Sequence, residues 1–370
     1  MAEKGTTYRA ELVMPYGTSD VVVSPHDYES PLGTRLTRAG WKSVLRRIVT
    51  DFANDAMVDR AAAMTYYTLL SVAPMLLASY SIFSLLMPRE EDAPDSLLAE
   101  LIRSYVPAEL QEDALALVLS IVGTPSQSTI ALVVSVLISL LSASGYVRSF
   151  SRNANLMYGR TEGRPIVVTW ATMWLVTLVL VVGAVVIILG ALLTDGIVNA
   201  VLGPLARPLQ LEDELEYLTS IFLPVWDYLR GPVIAVVAVA LVSVLYHFTP
   251  NVRPGRFRVL TLGSALALVV ASALWVGFGW YLKLVGVRST YGAFGTVLAV
   301  LVLVWTMNVV LLMGVKIDAE MLRAKELQAG MDSRRCIQAP PRSSRGAAGR
   351  LQMRRWTDRA AEEIAGESRG

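Results

Sequence analysis

Past residue 56 the chain alternates long uncharged apolar runs with short charged stretches. Six such runs lie near residues 61–87, 130–147, 166–194, 232–250, 259–282 and 291–315. At about 1.5 Å of rise per residue, a helix of this length crosses a hydrocarbon core of roughly 30 Å. Inside lipid every backbone N–H and C=O must be satisfied within its own segment, so the runs predict helices and not strands. The expected fold class is therefore all-α, a polytopic membrane protein of six transmembrane helices within residues 35–325.

The flanking segments carry different patterns. Between residues 35 and 55, Trp41, Val44, Leu45, Ile48, Val49 and Phe52 share one helical face, while Lys42, Ser43, Arg46, Arg47 and Thr50 share the other. An amphipathic helix with a tryptophan and basic flanks predicts an interfacial helix. Residues 106–122 carry Glu109, Glu112 and Asp113 early and apolar residues late. They read as a helix lying on the surface, not a further span. Residues 1–34 are polar and turn-rich without periodicity, which predicts a disordered N-terminal tail. No apolar stretch near the start reads as a signal peptide. Residues 326–370 form a basic tail.

Composition supports the membrane reading: 54% of residues are hydrophobic and 17% charged, against roughly 25% charged in soluble domains. Lysine and arginine concentrate in alternate connections. Residues 35–60, 148–165 and 251–258 and the C-terminal tail are basic, while 88–129 and 194–230 are acidic. Positive residues stay inside, so both termini are expected in the cytoplasm of a bacterium with the bundle in its plasma (inner) membrane. The two acidic loops then form a small helical cap outside. One cysteine and two histidines give no basis for a His/Cys metal centre, and neither metal nor cofactor is expected.

Four stretches carry a family resemblance. "AAAMTYYTLLSVAP", "SASGYVRSFSRNANLMYGRTEGRP", "LYHFTPNVR" and "TYGAFGTVLAVLVLVWTMNVVLLMGVKIDAEM" occur in that order. Together they resemble the YihY/BrkB family of bacterial inner-membrane proteins, once labelled ribonuclease BN, across roughly residues 40–325. The resemblance implies six transmembrane helices with both ends inside and implies little about activity, since fold alone does not give function. Asn155, Tyr158 and Gly159 match the family's Asn-x-x-Tyr-Gly pattern. Near 316 the family carries an acid, where this chain has Lys316; Gly314, Ala319 and Glu320 match.

Candidate functional residues fall in two groups. Thr68 and Ser71 precede Pro74, which removes an N–H and kinks a helix; Ser135, Ser139 and Ser142 form a stripe on the second span. Together they line either a substrate path or a close helix contact through small residues. Arg148, Arg152, Asn155 and Tyr158, with Glu320, form a candidate cytoplasmic rim. A lipid headgroup could bind there, although positive-inside signalling alone explains the arginines. Gly263, Ala267 and Ala271 predict a seam of small residues on the fifth span. Lys316, Asp318 and Glu320 read as a helix leaving the membrane for water, with Glu320 the one open question.

No apolar run contains Asp, Glu, Lys or Arg, which disfavours ion-coupled transport. Nor does a His/Asp cluster support phosphodiester hydrolysis. Catalysis is therefore not expected. The remaining readings are a transporter or flippase-like handler of a lipidic or hydrophobic substrate, and a non-catalytic scaffold for envelope partners. Membrane lipids are the expected partners, with a homo-oligomer or envelope proteins as further candidates; nucleic acid is not expected.

Overall fold

The computed structural model describes residues 8–9, 21–22, 28–86, 102, 111–112, 115–116, 129–193, 198, 212–253, 255, 258–285 and 292–367. It is a helical bundle with one two-residue antiparallel ladder, β1 (Tyr8–Arg9) against β2 (Val21–Val22). The helices are α1 (Arg38–Asn54), α2 (Met57–Leu86), α3 (Thr129–Met157), α4 (Ile166–Leu192), α5 (Glu212–Tyr217), α6 (Leu223–Phe248), α7 (Leu262–Val285), α8 (Gly292–Gln328) and α9 (Arg345–Glu367).

Four helical stretches among the described residues are long and apolar enough to cross a membrane: Ile166–Ala191, Leu218–Phe248, Leu262–Tyr281 and Val297–Gln328. Their outer surfaces are apolar, with Val167, Leu189, Val236, Val269 and Trp280 all exposed, as expected where lipid replaces water as the solvent. The helices pack as a ring, α2–α3–α4–α6–α7–α8, closed by α8 on α2, and α8 also touches α1 and α3.

Helix boundaries follow local chemistry. Thr37 caps α1, its hydroxyl accepting from Gly40 N at 3.1 Å. Two helices end in Schellman motifs, each needing a left-handed residue that only glycine adopts without strain. At the end of α3, Gly159 (φ 63°) sends its N–H to Leu156 while Arg160 N bonds Asn155 O. At the end of α8, Gly330 (φ 84°) does the same toward Leu327, and Met331 N bonds Glu326 O.

Three expectations are corrected. The fourth run was placed from Pro232, yet α6 begins at Leu223 after a π-helical turn at Leu218–Phe222 and runs through Pro232. Asp227 and Arg230 pair at 3.3 Å within this earlier part, which is why charge marked it as loop. The sixth run does not end at 315, because α8 continues to Gln328. The seam on α7 is real only at its start. A Cβ on Gly263 would meet the Gly314 carbonyl, and one on Gly314 would lie 3.0 Å from Ala267 Cβ, whereas Gly279 has open space. The cap expected at 88–129 lies outside the described residues except for helical positions 102, 111–112 and 115–116.

The core clusters at one end of the bundle. Met57, Met64, Phe150, Met157, Leu312 and Ile337 are buried together there. That end also gathers the starts of α2, α4 and α7 and the ends of α3, α6 and α8. The segment after α8 folds back over it, burying Cys336, Ile337 and Ala339.

Candidate functional site

Neither Thr68 nor Ser71 presents a free hydroxyl. Thr68 Oγ1 donates to Met64 O at 3.1 Å, and Ser71 Oγ to Thr68 O at 2.6 Å, so both are satisfied by their own helix. The side chains of Pro74, Ser135, Ser139 and Ser142 lie outside the described residues; their backbones belong to α2 and α3. A polar relay that sequence reasoning missed crosses the same helices. Tyr146 OH donates to Asn308 Oδ1 at 3.0 Å, and Asn308 Nδ2 to Thr65 Oγ1 at 3.0 Å, tying α3, α8 and α2.

The candidate rim divides. Arg148 lies 4.3 Å over the Trp170 ring, a cation–π contact between α3 and α4, and Arg152 is exposed. Asn155, Tyr158 and Glu320 are instead buried, so the five residues do not form one surface.

The expectation that Lys316, Asp318 and Glu320 meet water is overturned. Lys316 is 4% exposed and Glu320 1%. Lys316 Nζ lies 2.7 Å from Asp51 Oδ2, 3.0 Å from Asp55 Oδ2 and 3.2 Å from Glu320 Oε1. The other Glu320 oxygen accepts from Arg323 Nε at 3.1 Å and faces Arg47 Nε at 3.8 Å. Three cations and three carboxylates from α1, its C-terminal turn and α8 thus neutralise one another. Such a cluster is a weak source of net stability, but removing one member leaves an unpaired buried charge. Asp318 points to the opposite side and caps α7, accepting from Thr261 Oγ1 at 2.5 Å and Gly263 N at 2.8 Å.

One turn and a half beyond Glu320, Glu326 is fully buried. Its carboxylate accepts from Tyr28 OH (2.9 Å), Ser333 Oγ (2.6 Å), Gln338 N (2.7 Å) and Ala339 N (2.9 Å). Arg160 donates to the carbonyls of Ile337 and, at 2.6 Å, Ala339. Burial pulls the Arg160 guanidinium down to about 10 and pushes the Tyr28 phenol well above its usual value.

A second polar knot joins the loops. Arg164 grips Glu162 with two contacts (2.7 and 2.8 Å) and donates to Phe248 O and Thr249 O, closing the end of α6. Asn155 accepts from Asn251 N at 2.5 Å, and Asn251 exchanges two hydrogen bonds with the Ser343 backbone. Gly163 has no room for a side chain, because a Cβ would overlap the Ser343 carbonyl. Arg342 Nη2 donates to His247 O at 2.7 Å, and burial beside Arg164 and Arg253 lowers Arg342 to about 10. The Asn-x-x-Tyr-Gly stretch is therefore a structural joint: Asn155 bridges loops and Gly159 turns the chain.

Beside these knots a cavity of about 100 Å³ opens between α6, α7 and α8. Its polar lining includes Tyr158, Arg258, Thr261, Asp318 and Lys325, and its apolar lining includes Leu262 and Leu322. Neither Lys325 nor Arg258 was singled out from the sequence. Extending the helical period past Val315 would have exposed the stripe Lys316, Glu320, Arg323 on one face, with Asp318 and Lys325 on the other. Among the described residues no group of three or more His, Cys, Asp or Glu is placed to hold a metal.

Apolar helices facing outward and an internally paired charged end define a helical integral membrane protein. The chain belongs to the virulence factor BrkB family, whose model matches residues 48–335. It is 26% identical over 311 residues to a "UPF0761 membrane protein" of Verminephrobacter eiseniae, covering 83% of this chain and 67% of that protein. A UPF0761 membrane protein of Methylibium petroleiphilum is also 26% identical, over 285 residues, covering 75% of this chain and 62% of that relative's length. Neither name carries an activity. No solved structure matches the chain.

Proposed function

We propose that this chain is a six-span inner-membrane protein, with both termini in the cytoplasm, that handles a lipidic or otherwise amphiphilic substrate as a transporter or flippase-like protein. The two spans beyond those four are α2 and α3, at 30 and 29 residues no shorter than α4 at 27. The basic connections, apart from the stretch with Lys283 and Arg288 that joins α7 to α8, lie at the end where α3 and α6 finish, which supports a cytoplasmic placement. The observation that carries the substrate reading is the cavity between α6, α7 and α8. It joins a polar, cationic wall to helices whose outer faces are apolar, as an amphiphile requires. No catalytic step is assigned to it. Reconstitution into vesicles with a fluorescent phospholipid tests this: dye in the inner leaflet should become accessible to an outside quencher faster than in protein-free vesicles. Equal rates across several lipid classes would remove the transport reading.

A scaffold is the second reading, favoured by α9. Met353, Trp356 and Ile364 are exposed there, between arginines 350, 354, 355 and 359. That amphipathic helix can lie on an anionic leaflet or receive an envelope protein. Absence of lipid movement in vesicles favours this role.

A further inference from the structure

We infer that Lys325 and Arg258 form a binding site for a phosphate oxyanion at the mouth of the cavity between α6, α7 and α8. This deepens the proposed handling of an amphiphile by naming its headgroup class, and it rests on that reading for its biological use, though not for its test.

The two cations share one acceptor. Lys325 Nζ donates to Leu32 O at 3.0 Å and Arg258 Nη2 to the same oxygen at 2.9 Å. A carbonyl carries only a partial negative charge and cannot neutralise two full positive ones. Neither residue has an acidic partner within 4 Å among the described residues, whereas Lys316, Arg323, Arg47 and Arg164 all do. Lys325 is 7% exposed, so water does little to screen it. Burying a charge without a counter-ion is unfavourable, and bringing a second like charge to the same oxygen adds repulsion.

Neither neighbouring carboxylate pairs directly with the two cations. Asp318 also lines the cavity, with its oxygens accepting from Thr261 Oγ1 and Gly263 N at the start of α7. Glu326, next to Lys325 in sequence and about 100° round the helix from it, is bound by four donors of its own. A lysine and an arginine converging on one point fit a phosphate group, the arginine through its fork and the lysine as a point charge. Arg258 is exposed, which leaves an approach open, and the exposed Leu260, Leu262 and Leu266 continue the wall toward lipid. The oxyanion can therefore be lipid-borne or free.

The test uses the purified full-length protein in a neutral detergent, with binding followed by native mass spectrometry and by the shift in melting temperature. The probes are short-chain phosphatidylglycerol, short-chain diacylglycerol and inorganic phosphate. Phosphatidylglycerol should bind and raise the melting temperature, and Lys325→Met and Arg258→Gln should each weaken it by at least tenfold. Phosphate binding alone with the same dependence on both residues assigns a free anion; binding of the lipid only assigns a headgroup. The inference is overturned if diacylglycerol binds as well as phosphatidylglycerol, or if neither variant changes binding of any phosphate probe. Should Lys325→Met fail to fold, the exposed Arg258→Gln decides alone. Binding without lipid movement in vesicles sinks the transport reading and leaves this site standing.

Discussion

Lys316 on α8 lies 2.7 Å from Asp51 on α1, although 265 positions separate them in the chain. Through that contact the first helix is held against the last apolar one. Asp55 and Glu320 also flank the lysine, which is thus surrounded by three carboxylates. The consequence is structural: this cation joins α1 to the bundle.

Replacing it with methionine should destabilise the protein by about 3–5 kcal/mol, because three carboxylates would then crowd without their cation. Thermal unfolding in detergent measures the loss. Adding Asp51→Asn to Lys316→Met should recover part of it; if the double variant is no more stable than the single one, the pairing is not what holds α1.

Glu326 organises the returning segment. A glutamine there offers one acceptor oxygen to four donors, so Glu326→Gln should free residues 331–339. Trypsin cleavage after Arg334 or Arg335 is expected to accelerate by tenfold or more in the variant. An unchanged cleavage rate would mean that the segment is held by its apolar residues alone.

Gly159 sits at φ 63°, where a Cβ costs about 1–2 kcal/mol. Gly159→Ala should lower stability by that amount with the fold retained. Gly163→Ala should be the more damaging change, since the Ser343 carbonyl occupies the space. Comparing the two melting curves separates backbone strain from steric exclusion.

Tyr28 provides a pH dependence. Its folded-state pKa is raised above its ordinary value of 10, first by burial and then by Glu326, while Arg160 opposes the shift. A raised pKa stabilises the fold fully below pH 10, and that contribution is lost as pH climbs beyond 10. The wild type should therefore lose more stability than Tyr28→Phe between about pH 10 and 12. A parallel pH response of the two proteins would falsify the assignment.

The exposed face of α9 predicts membrane contact. In nanodiscs of anionic lipid, amide exchange over residues 345–367 should be slower than in zwitterionic ones, and the difference should shrink in high salt. Equal exchange in both lipids would leave the face free for a protein partner.

The helices themselves were legible because hydropathy is a local property. All six runs fall on helices, three of them (61–87, 166–194 and 259–282) within four residues at both ends, and the glycine that ends α3 follows from its own conformational freedom. The misplacements came where charge interrupted a helix, at Asp227 and Arg230 and again at Lys316. Asp227 and Arg230 pair with each other one turn apart, and Lys316 meets carboxylates that α1 supplies, so neither place ends its helix.

What the sequence determined by itself is the solvent each segment prefers: long runs without charge must cross lipid as helices, and basic connections mark one end. Only the tertiary structure decided which charges meet. Asp51 and Lys316, Tyr28 and Glu326, or Arg258 and Lys325 on Leu32 are separated by long stretches of chain, and electrostatic pairing depends on distance in space. Hydropathy could place Lys325 near the end of a helix. Only packing brought it to a cavity and to the carbonyl that Arg258 also meets.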